Sequence, residues 1–415
     1  MSSVIIEGGN PLYGEVCVQG SKNAVLPILA AVILTDGVTK LIGCPRISDV
    51  DCMISILNEL GCKTSFCENI LTIDTTNMKL EEISKEKVEK TRASILLLGA
   101  LLGRFRQAVL SYPGGCTIGS RPIDLHLFAL QKLGAEIQEE KELLYCKAKN
   151  LIGTEIFLSF PSVGATENII LAAVLADGIT RISNTAKEPE ICALCDFLRL
   201  AGAKISGDGT EQICIEGVKR LKSCEYLLPY DRIVAGTYLT AVAAAGGDAV
   251  IYGVVEQEQK KLLEVLEQCG CTLRLEEEVC CIKRKNQLKS ICVTTQPYPG
   301  FPTDMQSQIL SMLTIADGES QLEETIFEVR FQTCKELEKM GADLLLTENK
   351  VKVKGVSCLH GAKVNAYDLR GGAGLCIAGL MAQGTTIVQG MEFTNRGYEE
   401  IVRDLLGLGA QIRWG

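Results

Sequence analysis

Apolar positions in this chain alternate between two periods. In Val50–Leu60 the residues Ile54, Leu57 and Leu60 fall at helical spacing and predict an amphipathic helix. Short β-rich runs, Thr39–Ile42, Thr180–Ile182 and Thr385–Val388, predict strands. Between helix and strand stands an apolar residue followed by Gly-Ala or Gly-Cys: Leu60-Gly61-Cys62, Leu133-Gly134-Ala135, Ala201-Gly202-Ala203, Cys269-Gly270-Cys271, Met340-Gly341-Ala342 and Leu408-Gly409-Ala410. Successive glycines are separated by 73, 68, 68, 71 and 68 residues, so the chain reads as six units of about 70 residues. The pairs Asp36-Gly37, Asp177-Gly178 and Asp317-Gly318 predict helix stops, and Thr303-Asp304-Met305-Gln306 has the capping-box form of a helix start. Helices and strands alternating in a repeated unit predict α/β layers.

Composition sets the class. A chain of 415 residues exceeds what one hydrophobic core usually serves, so two domains are expected. Hydrophobic content of 47% with 22% charged residues fits an ordinary globular protein. The first twenty residues lack the pattern of a signal peptide, and Ala24–Leu34 and Leu96–Leu102 are too short to span a bilayer. No membrane association and a cytoplasmic location are expected. A net charge of −9 argues against a nucleic-acid partner, although a local arginine and lysine cluster can still bind small anions. Nineteen cysteines at irregular spacing predict reduced thiols rather than a disulfide framework. Cys192 and Cys195 stand in an apolar helical run, with only His126 and His360 elsewhere to complete a metal site, so buried thiols on a helix face are expected. Cys280 and Cys281 read as strand packing.

Chemically capable residues recur at two phases of the repeat. Counting back 39 from the turn glycines reaches Lys22, Val163, Asp231 and Arg370; counting back 37 from Gly341 reaches Asp304, and 42 from Gly134 reaches Arg92. These mark predicted helix starts, where free N–H groups and the positive dipole end suit anions. Counting back 13 reaches Arg121 and Arg396, and 11 from Gly341 reaches Arg330, in the loop before each second helix. Taken alone, Lys22 reads more readily as a solvated surface lysine, and Asp304 among arginines reads equally well as a structural ion pair. Gly114-Gly115 places Cys116 on a loop beside Arg121, where positive charge favours a thiolate, although a lone cysteine is more often a buried apolar residue.

Several segments together carry a resemblance: Gly20-Ser21-Lys22-Asn23, Thr91-Arg92-Ala93-Ser94, Pro113 to Pro122, Ser162 to Thr166, Phe301 to Gln306, Asp368-Leu369-Arg370 and Asn395-Arg396-Gly397-Tyr398. The chain resembles, over essentially its full length, the UDP-N-acetylglucosamine 1-carboxyvinyltransferases of the enolpyruvyl transferase family. That resemblance implies an inside-out α/β barrel with two domains of three repeated units each. Residues 1–20 plus 230–415 would form one domain, carrying Asp304 and Arg396. Residues 21–229 would form the other, carrying the Cys116 loop and the nucleotide contacts, with the active site between the two.

The resemblance also implies roles. Phosphoenolpyruvate would be held by Lys22, Asn23, Arg121, Arg330, Arg370 and Arg396. UDP-N-acetylglucosamine would be held by Asn23, Arg92, Arg121, Pro122, Ile123, Asp124, Leu125, Ser162, Val163, Gly164, Asp304 and Ile326. Cys116, Asp304, Lys22 and Arg396 would be catalytic, and no metal or organic cofactor is implied. The activity would be enolpyruvyl transfer to the sugar 3-hydroxyl, the first committed step of peptidoglycan synthesis in cell-wall growth, with sensitivity to fosfomycin at Cys116. Departures from the family's usual pattern are Val234, Val329, Gly371-Gly372-Ala373-Gly374, Phe393 and Asn395. Two alternatives stand beside this reading. One is a transferase using 3-phosphoshikimate, whose Asn-Ala-Gly-Thr and Gly-Asn-Ser-Gly-Thr segments are absent here; the other is a non-catalytic nucleotide-sugar sensor.

Overall fold

The structure is a computed structural model that describes residues 2–81, 83–114, 119 and 122–415. The fold is α/β, and the chain divides into two compact units. One holds residues 2–19 with 230–415; the other holds residues 20–114 with 122–229. Each has its own apolar core.

In the first unit three helices, Arg232–Ala245, Gln306–Leu313 and Leu369–Met381, pack on one another. All thirteen residues of Leu369–Met381 are buried. A helix buried on every side is expected to be apolar or small-residued all round, and this one is so except at Arg370, next to its start. Its glycines have a steric reason: a Cβ at Gly372 would lie 2.3 Å from the Thr394 hydroxyl oxygen, and one at Gly374 would lie 2.7 Å from the Ser307 carbonyl. The Gly371–Gly374 departure thus permits close helix approach, and this packing offsets the helix penalty of glycine, about 0.5–1 kcal/mol each.

Three four-stranded sheets complete this unit. In one, Ser3–Glu7 lies antiparallel to both Thr385–Gln389 and Gln411–Trp414, with Val4 opposite Val388 and Trp414. In another, Leu12–Cys17 runs parallel to Gly247–Tyr252. The first residues of the chain are therefore built into the unit formed by its C-terminal half.

In the second unit the inner helices are Lys22–Val32, Leu97–Phe105 and Val163–Ala173, again in mutual contact and buried over most of their length. Outer helices are amphipathic, as expected where one face meets solvent. In Ser48–Glu59 the buried set includes Val50, Met53, Ile56 and Leu57.

All six repeat glycines adopt left-handed backbone, with φ between 84° and 107°. Each terminates a helix by one pair of bonds. At the first, Gly61 N–H donates to Asn58 O at 3.0 Å and Cys62 N–H to Leu57 O at 3.0 Å. At the last, Gly409 donates to Leu406 and Ala410 to Leu405. This is the Schellman cap, which requires a left-handed residue and so selects glycine.

Two local expectations are corrected. The Asp-Gly pairs do not cap helices: Lys22–Val32, Val163–Ala173 and Gln306–Leu313 are capped by Ile33, Val174 and Thr314, and the glycines turn the chain a few residues later. Nor does Thr303 make a capping box. Thr303–Met305 is a 3₁₀ turn ahead of Gln306–Leu313, and the Thr303 hydroxyl donates instead to Glu324 at 2.8 Å, a partner distant in sequence. Cys195 is buried on helix Pro189–Leu200 and Cys192 half-buried, whereas Cys280 is buried on its strand and Cys281 exposed. Among the described residues no helix is long and apolar enough to cross a membrane.

Candidate active site

In the unit of residues 20–114 and 122–229, Ser21 caps helix Lys22–Val32, its hydroxyl accepting from Ala24 N–H at 3.3 Å. Lys22 and Asn23 are therefore the first two helical residues. Lys22 is not a solvated surface lysine: its side chain is 12% exposed, and Nζ lies 3.0 Å from Oδ2 of buried Asp49. Arg92 opens the 3₁₀ turn Arg92–Leu96, capped by Thr91, and its Nη2 donates to Pro122 O at 3.5 Å. This joins Arg92 to the run Pro122–Leu125. Pro122 and Asp124 are exposed there, Leu125 is half-buried, and Ile123 packs inward. Asp124 starts helix Asp124–Lys132.

Ser162 is the N-cap of Val163–Ala173, its hydroxyl accepting from Ala165 N–H at 3.3 Å. Thr166 N–H is taken by the Ser162 carbonyl, while among the described residues the Val163 and Gly164 N–H groups have no partner. A half-buried pair of N–H donors at the positive end of a helix is suited to an anion.

The other unit builds an arginine and carboxylate cluster. Asp304 accepts from Arg330 Nη2 at 2.8 Å and from Arg370 Nη2 at 3.0 Å. The carboxylate is 28% exposed, whereas the two arginine side chains are 3% and 4% exposed. Arg330 also donates to Thr303 O at 3.2 Å. Arg370 follows the N-cap Asp368, which accepts from the N–H groups of Arg370 and Gly371. Burial disfavours the Arg370 charge, but Asp304, Tyr398 and Asp231 more than offset this and hold its pKa above the ordinary arginine value.

The ion pair expected as the plain alternative for Asp304 is thus made, yet it leaves donors over. Among the described residues, Arg330 Nε and Arg370 Nε and Nη1 are buried with no hydrogen-bond partner. Buried guanidinium N–H groups without acceptors are costly, and a carboxylate or phosphate ligand would supply them. Arg396 closes the 3₁₀ turn Thr394–Arg396 and is half-buried. Val234 is buried within helix Arg232–Ala245, and Val329 is exposed beside Arg330.

Cys116 and Arg121 lie outside the described residues. Sequence reasoning missed Glu324, whose buried carboxylate accepts from the Ile326 and Phe327 N–H groups at 2.8 and 3.2 Å and from Thr303. It ties the Ile326 loop to the turn bearing Asp304. It also missed Asp49 as the partner of Lys22. The Lys22–Asp49 pair and the Thr303–Glu324 bond each join residues distant in sequence, so local spacing carries no signal for them.

Comparisons with known proteins agree along the whole chain. The sequence model of the family described as EPSP synthase (3-phosphoshikimate 1-carboxyvinyltransferase) matches residues 6–405. The chain is 49% identical over 415 residues to UDP-N-acetylglucosamine 1-carboxyvinyltransferase 2 of Caldanaerobacter subterraneus subsp. tengcongensis, covering 99% of each chain. It is 46% identical to UDP-N-acetylglucosamine 1-carboxyvinyltransferase of Halothermothrix orenii, covering 100% of this chain and 99% of that one. Among solved structures it is similar to the enolpyruvyl transferase NikO from Streptomyces tendae, with a TM-score of 0.91 at 23% identity over 100% of this chain and 99% of that one. EPSP synthase from Acinetobacter baumannii aligns over 100% of both chains with a TM-score of 0.77 at 20% identity. At such identities the two structures speak to the fold.

Proposed function

Because the chain belongs to the enolpyruvyl transferase family, within its UDP-N-acetylglucosamine 1-carboxyvinyltransferase branch, we propose that it transfers the enolpyruvyl group of phosphoenolpyruvate to the 3-hydroxyl of UDP-N-acetylglucosamine, releasing phosphate. This is the first committed step of peptidoglycan synthesis. The observation that carries the reading is end-to-end identity of 49% to a relative bearing that name. It is supported by the donor-rich environments at Val163–Gly164 and at Arg330 and Arg370.

We read the fold more finely as an inside-out barrel of six units. The six glycine caps and the buried inner helices support this. Residues 1–20 with 230–415 serve as the domain of Asp304 and Arg396, and 21–229 as the domain of Cys116 and the nucleotide contacts. Every described cysteine is free of disulfides, which supports action in a reducing cytoplasm.

The reaction runs by addition and elimination. The sugar 3-hydroxyl attacks C2 of phosphoenolpyruvate, losing its proton to Asp304, while Cys116 donates a proton to C3. The C2–C3 double bond becomes a single bond in a tetrahedral adduct. Loss of phosphate from C2 and of a proton from C3 restores the double bond. Lys22, Arg121 and Arg396 hold the phosphate, with Asn23 touching both substrates, and Arg330 and Arg370 hold the carboxylate. Pro122, Ile123, Asp124 and Leu125 hold the uridine, Arg92, Ser162, Val163 and Gly164 the diphosphate, and Ile326 meets the sugar. Fixed cations aimed at developing charge are usually the largest catalytic contribution. The test is phosphate release: it should require both substrates together, and release from phosphoenolpyruvate with 3-phosphoshikimate in place of the nucleotide sugar would overturn the reading.

A further inference from the structure

A buried relay links three helices of the nucleotide unit. Gly99 N–H on Leu97–Phe105 donates to Asn168 Oδ1 at 2.7 Å. This identifies Oδ1 as the acceptor, so both Asn168 Nδ2 protons are donors. One goes to Ile95 O at 2.9 Å, and the other meets His126 Nδ1 at 3.0 Å. Asn168 is fully buried and His126 is 6% exposed. An imidazole nitrogen facing an amide donor must offer its lone pair, so His126 is neutral with its proton on Nε2. The Cε1–Nε2 edge of the ring lies against Gly164, where an added Cβ would stand 3.0 Å from Cε1 and 3.4 Å from Nε2. His126 is two residues beyond Asp124, on the helix that starts from the Pro122–Leu125 run.

We propose that His126 is a positioning residue for the nucleotide. Locked as the Nε2–H tautomer by Asn168, it fixes the start of helix Val163–Ala173 against the start of helix Asp124–Lys132. The base-binding run and the N–H pair of Val163 and Gly164 are thereby held at the spacing of a nucleoside diphosphate, in preference to a monophosphate. This rests on the function proposed above.

The chain has two histidines, so ¹⁵N-histidine NMR resolves His126 from His360 directly. The wild type should show an unprotonated Nδ1 and a protonated Nε2 at His126. Calorimetry with UDP and UMP then reads the positioning. Asn168→Asp replaces the donor with an acceptor and should move the His126 proton to Nδ1. It should weaken UDP by roughly tenfold and UMP by less than about threefold. His126→Phe, which keeps a flat ring beside Gly164 without the bond, should narrow the same ratio if Asn168→Asp does not fold. A protonated Nδ1 in the wild type, or an unchanged UDP-to-UMP ratio in a folded variant, overturns the proposal alone. Failure of the wild type to bind UDP at all overturns both it and the function reading.

Discussion

Arg370 reaches across sixty-six residues of sequence to place its Nη2 3.0 Å from Asp304 Oδ2. The guanidinium remains buried with Nε and Nη1 unpartnered among the described residues. The proposed base and a proposed substrate clamp are therefore one electrostatic unit. Asp304→Asn removes the charge but keeps an acceptor. It should lower kcat by roughly 10²–10³ and lower Tm by a few degrees, because the amide offers one acceptor oxygen where the carboxylate offered two, and its NH2 then faces the other arginine. Steady-state kinetics with a thermal melt checks this, and an unchanged kcat would leave Asp304 a structural ion-pair partner only.

Arg396 stands at the same phase of its repeat as Arg121. Arg396→Ala should reduce phosphoenolpyruvate turnover by roughly 10²–10³ with nucleotide-sugar affinity nearly intact, as expected of a cation aimed at developing phosphate charge. Calorimetric titration beside kinetics separates the two. Equal losses in binding and turnover would contradict the role.

The cysteines divide sharply by environment. Burial pushes Cys146, Cys269, Cys280, Cys334 and Cys376 up to about 12, so these thiols stay protonated and inert. Cys17, Cys67, Cys281 and Cys292 are exposed and should react with general alkylating agents. Fosfomycin also needs a cation cluster to hold its phosphonate, so its adduct should map by mass spectrometry to Cys116 alone. Cys116→Ala should abolish turnover. Cys116→Asp, which keeps a proton donor but opens epoxides poorly, should retain partial activity and resist the drug. An adduct at another cysteine would sink this assignment.

Much of the fold was legible because its punctuation is local. Each Schellman cap needs a left-handed residue, and that need is written as glycine at a near-constant spacing. Helix starts at Lys22 and Val163 were legible for a related reason: a serine N-cap acts within three residues. The capping box at Thr303 failed because a tertiary partner, Glu324, competed for the hydroxyl. The Lys22–Asp49 pair and the Gly99–Asn168–His126 relay were illegible because nothing in local spacing encodes contacts made between helices.

Glu167 supplies a pH test independent of turnover. Burial, with Glu190 and Glu188 nearby, raises its carboxyl pKa well above the ordinary 4.5. A raised folded-state pKa gives stability that is present in acid and lost as pH climbs from the unfolded value through the folded one. Glu167→Gln should therefore raise Tm relative to the wild type at neutral pH, with the gain shrinking as pH falls towards about 4.5. Thermal melts across that range check it, and a gain that grows in acid would reverse the sign.

The most direct measurement of the central claim is the product itself. The purified chain with phosphoenolpyruvate and UDP-N-acetylglucosamine should yield, by mass spectrometry, a nucleotide sugar heavier by one carboxyvinyl group in place of one hydrogen, with one phosphate released per product. Both substrates consumed to that product is the predicted result. Unchanged nucleotide sugar under conditions where UDP binds would contradict it and leave a binding protein that has lost the chemistry.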